Sequence, residues 1–297
     1  MEINKVNTHI IPVEFEYHAP TNLKDALELL SKHGAEARLL AGGTDLLVKM
    51  KQRLIEPKHI INVKKIDELK GIVEEDGLRM GAATKLRTIE RSEVVKERFP
   101  LLGEAVRVIG SVQVRNMATV GGNLCNASPA ADAAVALVAL DAEARIIGPE
   151  GVRVVPMEAF FKGPGQTVLR PDELLTGISV PYLPEGTGTS FIKIGRTSLD
   201  IATINIGAVL VMEGGVVKDC RIALGAVAPT PIRVGKAEAF LRGKKLTDEV
   251  IGAAAEMVAG GIRPITDIRA TAEYRREASK ALTRDALTIA GKRSRRR

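Results

Sequence analysis

Two short stretches, Ala41-Gly42-Gly43-Thr44-Asp45 and Thr119-Val120-Gly121-Gly122-Asn123, decide how this chain of 297 residues is read. Each follows an apolar segment and precedes a run with helical character. A glycine pair at such a junction exposes backbone N–H groups with no side chain in the way. That geometry suits a phosphate. Two such loops in one chain point to a ligand with two phosphates, a dinucleotide.

Working outward from the loops, Leu23, Ala26, Leu27 and Leu30 recur at helical spacing, which predicts a helix over 23–33 ended by Gly34. Residues 38–41 read as a strand feeding the first loop, 45–51 as a helix and 59–63 as a second strand. A hairpin follows, with strands at 71–73 and 78–80 around Glu75-Asp76-Gly77. Helices are predicted at 85–98 and 101–109, separated by Pro100. After the second loop, Ser128 as N-cap and Pro129 at the first helical position predict a helix over 129–140. A second hairpin, 144–147 with 152–155, precedes a strand at 174–180. Pro181 to Gly188 reads as a linker. Strands at 190–194, 203–212 and 216–227 and helices at 235–242, 247–260 and 267–284 then suggest an α+β unit with helices on one face of an antiparallel sheet.

Composition narrows the function classes. No apolar run approaches the roughly 20 residues of a membrane helix, and MEINKVNTHI (1–10) lacks the pattern of a secretory signal. A cytoplasmic location is expected. Cys125 and Cys220 stand far apart with no CxxC neighbour, so this chain cannot supply an iron–sulfur cluster or a Cys-rich zinc site. Cys125 is expected to be buried as a small apolar residue. His9, His18, His33 and His59 show no ligand spacing, and no metal site is expected. The net charge of +7 falls to +2 without the last six residues. Those residues read as a frayed basic tail. Aromatic residues are 3% of the chain, too few for nucleic-acid stacking platforms.

Neither loop reads GxGxxG, and no glycine is followed by Lys-Ser/Thr, so Rossmann and Walker A architectures are excluded. AGGTDLL (41–47) and ATVGGNL…ASPAAD (118–132) instead resemble the two pyrophosphate-binding segments of FAD-binding subunits in molybdenum hydroxylases, the group that includes the carbon monoxide dehydrogenase medium subunit and the xanthine dehydrogenase flavin domain. FIKIGRTSLDIATIN (191–205) resembles the start of that family's C-terminal domain. The resemblance covers essentially the whole chain. It implies an α+β, non-Rossmann, PCMH-type FAD-binding domain at 1–182, in sub-parts of about 1–63 and 64–182. It also implies a C-terminal domain at 187–290, leaving a basic tail at 291–297.

The resemblance also assigns residues. Ala41, Gly42, Gly43 and Thr44 would face the FAD diphosphate. Asp45, whose carboxylate repels phosphate, suits the N-cap of the next helix, with its N–H toward FAD. Thr119, Val120, Gly121, Gly122 and Asn123 form the second loop. Asp132 would accept from FAD hydroxyls; the plain alternative is an exposed first-turn aspartate. Lys193 would stabilise the negative charge of reduced flavin, or is an exposed strand lysine. Leu175 and Ile109 are apolar contacts, and Asp200 either shapes the isoalloxazine pocket or caps a turn. No catalytic acid or base is expected, and the cysteine-rich insert of some relatives is absent. The implied partners are a small [2Fe–2S] subunit and a large subunit holding the molybdenum cofactor. A stand-alone flavin oxidoreductase of the same fold and a non-catalytic scaffold subunit are the alternatives.

Overall fold

The computed structural model describes residues 11–295. The segment MEINKVNTHI with His9, and the final two arginines of the basic tail, lie outside them. The first unit comprises β1 (Glu16–His18), α1 (Leu23–His33), β2 (Ala37–Leu40), α2 (Leu46–Lys51) and β3 (His59–Asn62). Its strands form a parallel sheet in the order β1-β3-β2. α1 forms where its spacing predicts. Asn22 accepts from the Asp25 N–H at its start, and Gly34, at φ 49°, ends it. Its buried Ala26 and Leu30 pack in one cluster with Ile61 and Val63.

The second unit opens with β4 (Ile72–Glu75) and β5 (Gly77–Gly81), the predicted hairpin. Five helices follow: α3 (Leu86–Arg91), α4 (Glu93–Arg98), α5 (Pro100–Arg107), α6 (Val112–Met117) and α7 (Val120–Cys125). Then come α8 (Asp132–Ala139), β6 (Glu143–Gly148), β7 (Gly151–Pro156), α9 (Met157–Phe160), β8 (Phe161–Gly163), β9 (Gln166–Thr167) and β10 (Leu174–Val180). β10 returns between the two hairpins, and the antiparallel sheet runs β4-β5-β10-β6-β7. Three expectations change here. The single helix over 85–98 is two helices, because Ser92 leaves helical geometry and its hydroxyl caps α4 at the Val95 N–H. The helix predicted from Pro129 begins at Asp132, since the Ser128 hydroxyl takes the Ala130 N–H in a turn. Finally, the second glycine pair lies inside the first turn of α7 rather than ahead of a helix.

The third unit is an antiparallel sheet of β11 (Thr187–Ile194), β12 (Ile204–Glu213), β13 (Val216–Gly225) and β14 (Ile232–Arg233), with α10 (Gly235–Leu241), α11 (Asp248–Gly261) and α12 (Ala272–Ser294). Ile204, Ile206, Ala208 and Leu210 of β12 join a core with the helices. On the sheet's other face, Val209 and Ala223 join the core of the second unit. α8 is buried on all sides, and it is correspondingly apolar all round apart from Asp132. It passes so close to the sheet that a Cβ on Gly225 would lie 2.7 Å from Val135 Cγ2.

The chain's end differs from the expected frayed tail. α12 starts later than predicted and continues to Ser294. Arg293 donates to the Thr189 carbonyl at 2.7 Å and pairs with Glu104 at 2.7 Å, while Ser294 is buried. No described helix is long and apolar enough to cross a membrane.

Candidate functional site

A groove of about 910 Å³ runs between the three units. Ala41, Gly42, Gly43, Thr44 and Asp45 line it from the first unit. Ile109, Thr119, Gly121, Gly122, Asn123, Asp132 and Leu175 line it from the second, and Lys193 and Asp200 from the third. The structure thus brings together residues from 41 to 200, with one exception. Val120 is fully buried in the core behind the groove.

The first loop carries free donors. Gly43 takes φ 75°, a left-handed conformation that suits glycine. The N–H groups of Gly42, Gly43, Thr44 and Asp45 donate to no described residue. The carbonyls of Gly43 and Asp45 accept from Leu47 and Lys49 as α2 begins. A Cβ on Gly42 would sit 2.5 Å from the Met117 carbonyl oxygen and 2.7 Å from Ala118 Cα. The first loop therefore lies backbone against backbone on the entry to the second.

In the second loop the N–H groups from Val120 to Asn123 are already used. Val120 N–H donates to Thr84 O at 3.0 Å, Gly121 to Ala82 O at 2.8 Å and Asn123 to Thr119 O at 3.0 Å. Gly122 N–H donates to the Thr119 hydroxyl at 3.1 Å. Gly121 is small because Ala82 is near: an added Cβ would lie 2.7 Å from both the Cβ and the carbonyl oxygen of Ala82. What this loop offers the groove is the Asn123 side chain, whose Oδ1 is buried without a partner among the described residues. Asp45 stands at the N-cap of α2 but makes no capping bond. It accepts instead from Asn126 Nδ2 at 3.3 Å, and Lys49 Nζ donates to Asn126 Oδ1 at 2.8 Å. The two loops are clasped through Asn126.

Asp132 and Lys193 form one buried ion pair, 2.8 Å apart, rather than an exposed aspartate and an exposed lysine. Asn205 Nδ2 donates to the other Asp132 oxygen at 2.6 Å, and Lys193 also donates to the Val108 carbonyl at 2.9 Å. Burial pushes the Asp132 carboxyl above its ordinary value, against the opposing pull of Lys193 and Asn205. The pair fastens β11 to the first residue of α8.

Sequence reasoning missed the groups that hold this frame. Arg115 is buried and donates to the carbonyls of Ile109 and Gly110 and to Glu90. Burial alone would raise the Glu90 carboxyl, but Arg115 and Arg87 outweigh it and hold the group below the usual carboxylate range. A lone arginine on a six-residue helix carries no signal of burial. Asn205 and Asn126 were equally silent. On the rim, Asp200 accepts from Arg196 at 3.0 Å, which holds its carboxyl low, between exposed Leu199 and Ile201. Cys125 is exposed beside the groove rather than buried, and Cys220 is buried, which pushes its thiol up. Away from the groove, His18, His33 and His59 come together despite their irregular spacing.

Comparison with known proteins gives two family matches. "FAD binding domain in molybdopterin dehydrogenase" matches residues 13–183, and "CO dehydrogenase flavoprotein C-terminal domain" matches residues 189–290. The carbon monoxide dehydrogenase medium chain of Hydrogenophaga pseudoflava is 38% identical over 282 residues, covering 95% of this chain and 98% of that one. The xanthine dehydrogenase FAD-binding subunit of Escherichia coli O157:H7 is 35% identical, covering 92% and 95%. Among solved structures, carbon monoxide dehydrogenase from Hydrogenophaga pseudoflava superposes with a TM-score of 0.93 at 39% identity, over 96% of this chain and 99% of that chain. Quinoline 2-oxidoreductase from Pseudomonas putida 86 superposes at 0.89 with 30% identity, over 94% and 97%. With free donors on a glycine loop, an unpartnered buried Asn123 oxygen and a groove long enough to touch all three units, the residues present fit the cofactor these families name. The chain belongs to the FAD-binding medium subunits of the molybdenum hydroxylases, flavoprotein oxidoreductase chains that work within multi-subunit enzymes.

Proposed function

We propose that the groove holds FAD with its diphosphate on the first glycine loop, and that this chain relays electrons from [2Fe–2S] clusters of a small partner subunit to an external acceptor. The observation that carries the placement is the set of N–H groups at Gly42, Gly43, Thr44 and Asp45 that no described residue uses. Bound flavin supplies exchange of one or two electrons, which suits a relay. The residues of this chain bind and orient it. Asn123 Oδ1 accepts from a ligand hydroxyl or N–H. The ammonium of Lys193 has three donors, two of them spent on Asp132 and Val108, so one remains for the ligand. Asp132 keeps unused lone pairs for a ligand hydroxyl. Ile109 and Leu175 supply apolar wall, and Asp200 stands at the rim.

Substrate oxidation belongs, in this reading, to a large molybdenum-cofactor subunit. The assembly is a heterotrimer or a dimer of heterotrimers in the cytoplasm. The gap between the two family matches, at 183 and 189, supports a boundary in the predicted linker between domains at 1–182 and 187–290. The test is the visible spectrum of the purified chain together with the mass of the nucleotide it releases. A yellow protein that releases FAD, and loses it in Gly42→Val, is the expected result. A colourless chain that takes up no added FAD overturns the placement, and a chain that never co-purifies with an iron–sulfur or molybdenum subunit overturns the partners.

A further inference from the structure

The parallel sheet of the first unit carries a histidine cluster on one of its faces. Its register sets Glu16 beside His59, and His18 stands two residues further along β1, so all three side chains share one face. α1 crosses that face and ends at His33. The His33 ring stacks on His59 with centroids 3.6 Å apart. One ring nitrogen of each of His18, His33 and His59 lies within 4.8 Å of the other two.

The distances among Glu16, His18 and His59 match an ion's ligand shell. His18 Nε2 is 3.2 Å from His59 Nδ1. Glu16 Oε2 is 3.4 Å from His59 Nδ1 and 3.8 Å from His18 Nε2. A tetrahedral zinc ion with bonds of ~2.0–2.1 Å spaces its ligand atoms about 3.4 Å apart. A metal-free aromatic stack accounts for the ring contact. It leaves unexplained why His33 Nε2 is buried with no partner among the described residues, a state that costs stability unless something binds the nitrogen. His33 also stands in the last turn of an 11-residue helix, where the carbonyl ends favour positive charge.

We propose that His18, His33 and His59, with Glu16 as fourth ligand, bind one divalent zinc-type ion. The His33 ring, now tilted 30° from His59, turns further on binding so that the three lone pairs meet. Three imidazoles and a carboxylate close the shell, as in structural sites, and leave no open position for catalysis. The ion would pin the end of α1 to β1 and β3. His59 pairs in register with Ala37, four residues before Ala41, and His18 is level with Ile61 and Leu39, so the ligands lie about 7 to 13 Å along the sheet from the flavin loop.

The test uses the full-length chain, stripped with chelator and dialysed against Zn²⁺ or Co²⁺. One zinc per chain by elemental analysis, and the visible absorption of four-coordinate Co²⁺, are expected. Losing a ligand should cost more than losing an outer-shell partner, which costs ~10–100-fold in affinity. His59→Ala and His18→Gln should therefore lose the ion, whereas Cys125→Ser should keep it. FAD content reports whether each variant is folded, and His33→Gln replaces any that is not. A wild-type chain that retains no zinc overturns the proposal, as do folded histidine variants that bind as tightly as wild type.

Discussion

The two glycine loops look interchangeable as sequence, yet they do opposite work with their backbones. In the first, four consecutive N–H groups are left free of described residues, and Gly43 takes a left-handed conformation to present them. In the second, every N–H from Val120 to Asn123 is bonded inside the protein, and Gly121 exists to let α7 approach Ala82. Gly42 and Gly121 are both small because protein backbone lies close, so what separates the loops is whether their N–H groups are left free. The same contrast extends to the charged groups. Asp132 and Lys193, which follow the second loop, spend most of their bonds on each other and on the frame.

On that contrast, damage at and beyond the second loop should appear as lost stability, and damage at the first should add lost FAD to it. The largest expected effect is Lys193→Met, which strands Asp132 in a buried position. Removing one partner of a buried pair costs about 3–5 kcal/mol, and urea denaturation should show it, with Asp132→Asn in the same background restoring part. Acid should act on the groove's far wall. Arg153 is the main cause holding Glu173 down from 4.5 to about 2. Its folded value is depressed, so its contribution is present above about pH 4.5 and lost as pH falls toward 2, on the order of 3 kcal/mol. Glu173→Gln should flatten that part of the stability profile; an unchanged acid limb would remove Glu173 as its cause.

Gly121→Ala should cost about 1–3 kcal/mol of stability through overpacking on Ala82. Gly42→Ala should carry a similar overpacking cost, because its Cβ meets the Met117–Ala118 backbone, and should in addition raise the dissociation constant for FAD about tenfold, equivalent to about 1.4 kcal/mol, by parting the loops. Calorimetric titration of apo-protein would read that change, and equal effects of both substitutions on FAD affinity would break the contrast. The smallest effect belongs to Gly122→Ala. Its Cβ meets only the Thr119 hydroxyl, at 2.9 Å, and stability should stay within about 0.5 kcal/mol.

Much of the architecture was legible from local signals. α1, both hairpins, β10 and the strands after the linker lie within a few residues of their predicted places, because side-chain period and turn residues act over a few positions. The misplaced starts of α8 and α12 follow from the same locality. Ser128-Pro129 carries a helix-start pattern, but the serine hydroxyl closes a turn there, and the next helix waits for Asp132. Polar residues near the C-terminus read as a solvated tail until β11 and α5 offer Thr189 and Glu104 to Arg293.

Sequence alone determined the cofactor class, the family and the order of the longer helices and strands, since these rest on contiguous motifs and short-range periodicity. The tertiary structure decided which of the two glycine loops keeps its donors free, that Asp132 and Lys193 neutralise each other across 61 positions, and that three unevenly spaced histidines meet over one face of a sheet. Those outcomes depend on strand register and helix packing between distant segments, and no local pattern encodes a distance between residues that only the completed fold brings into contact.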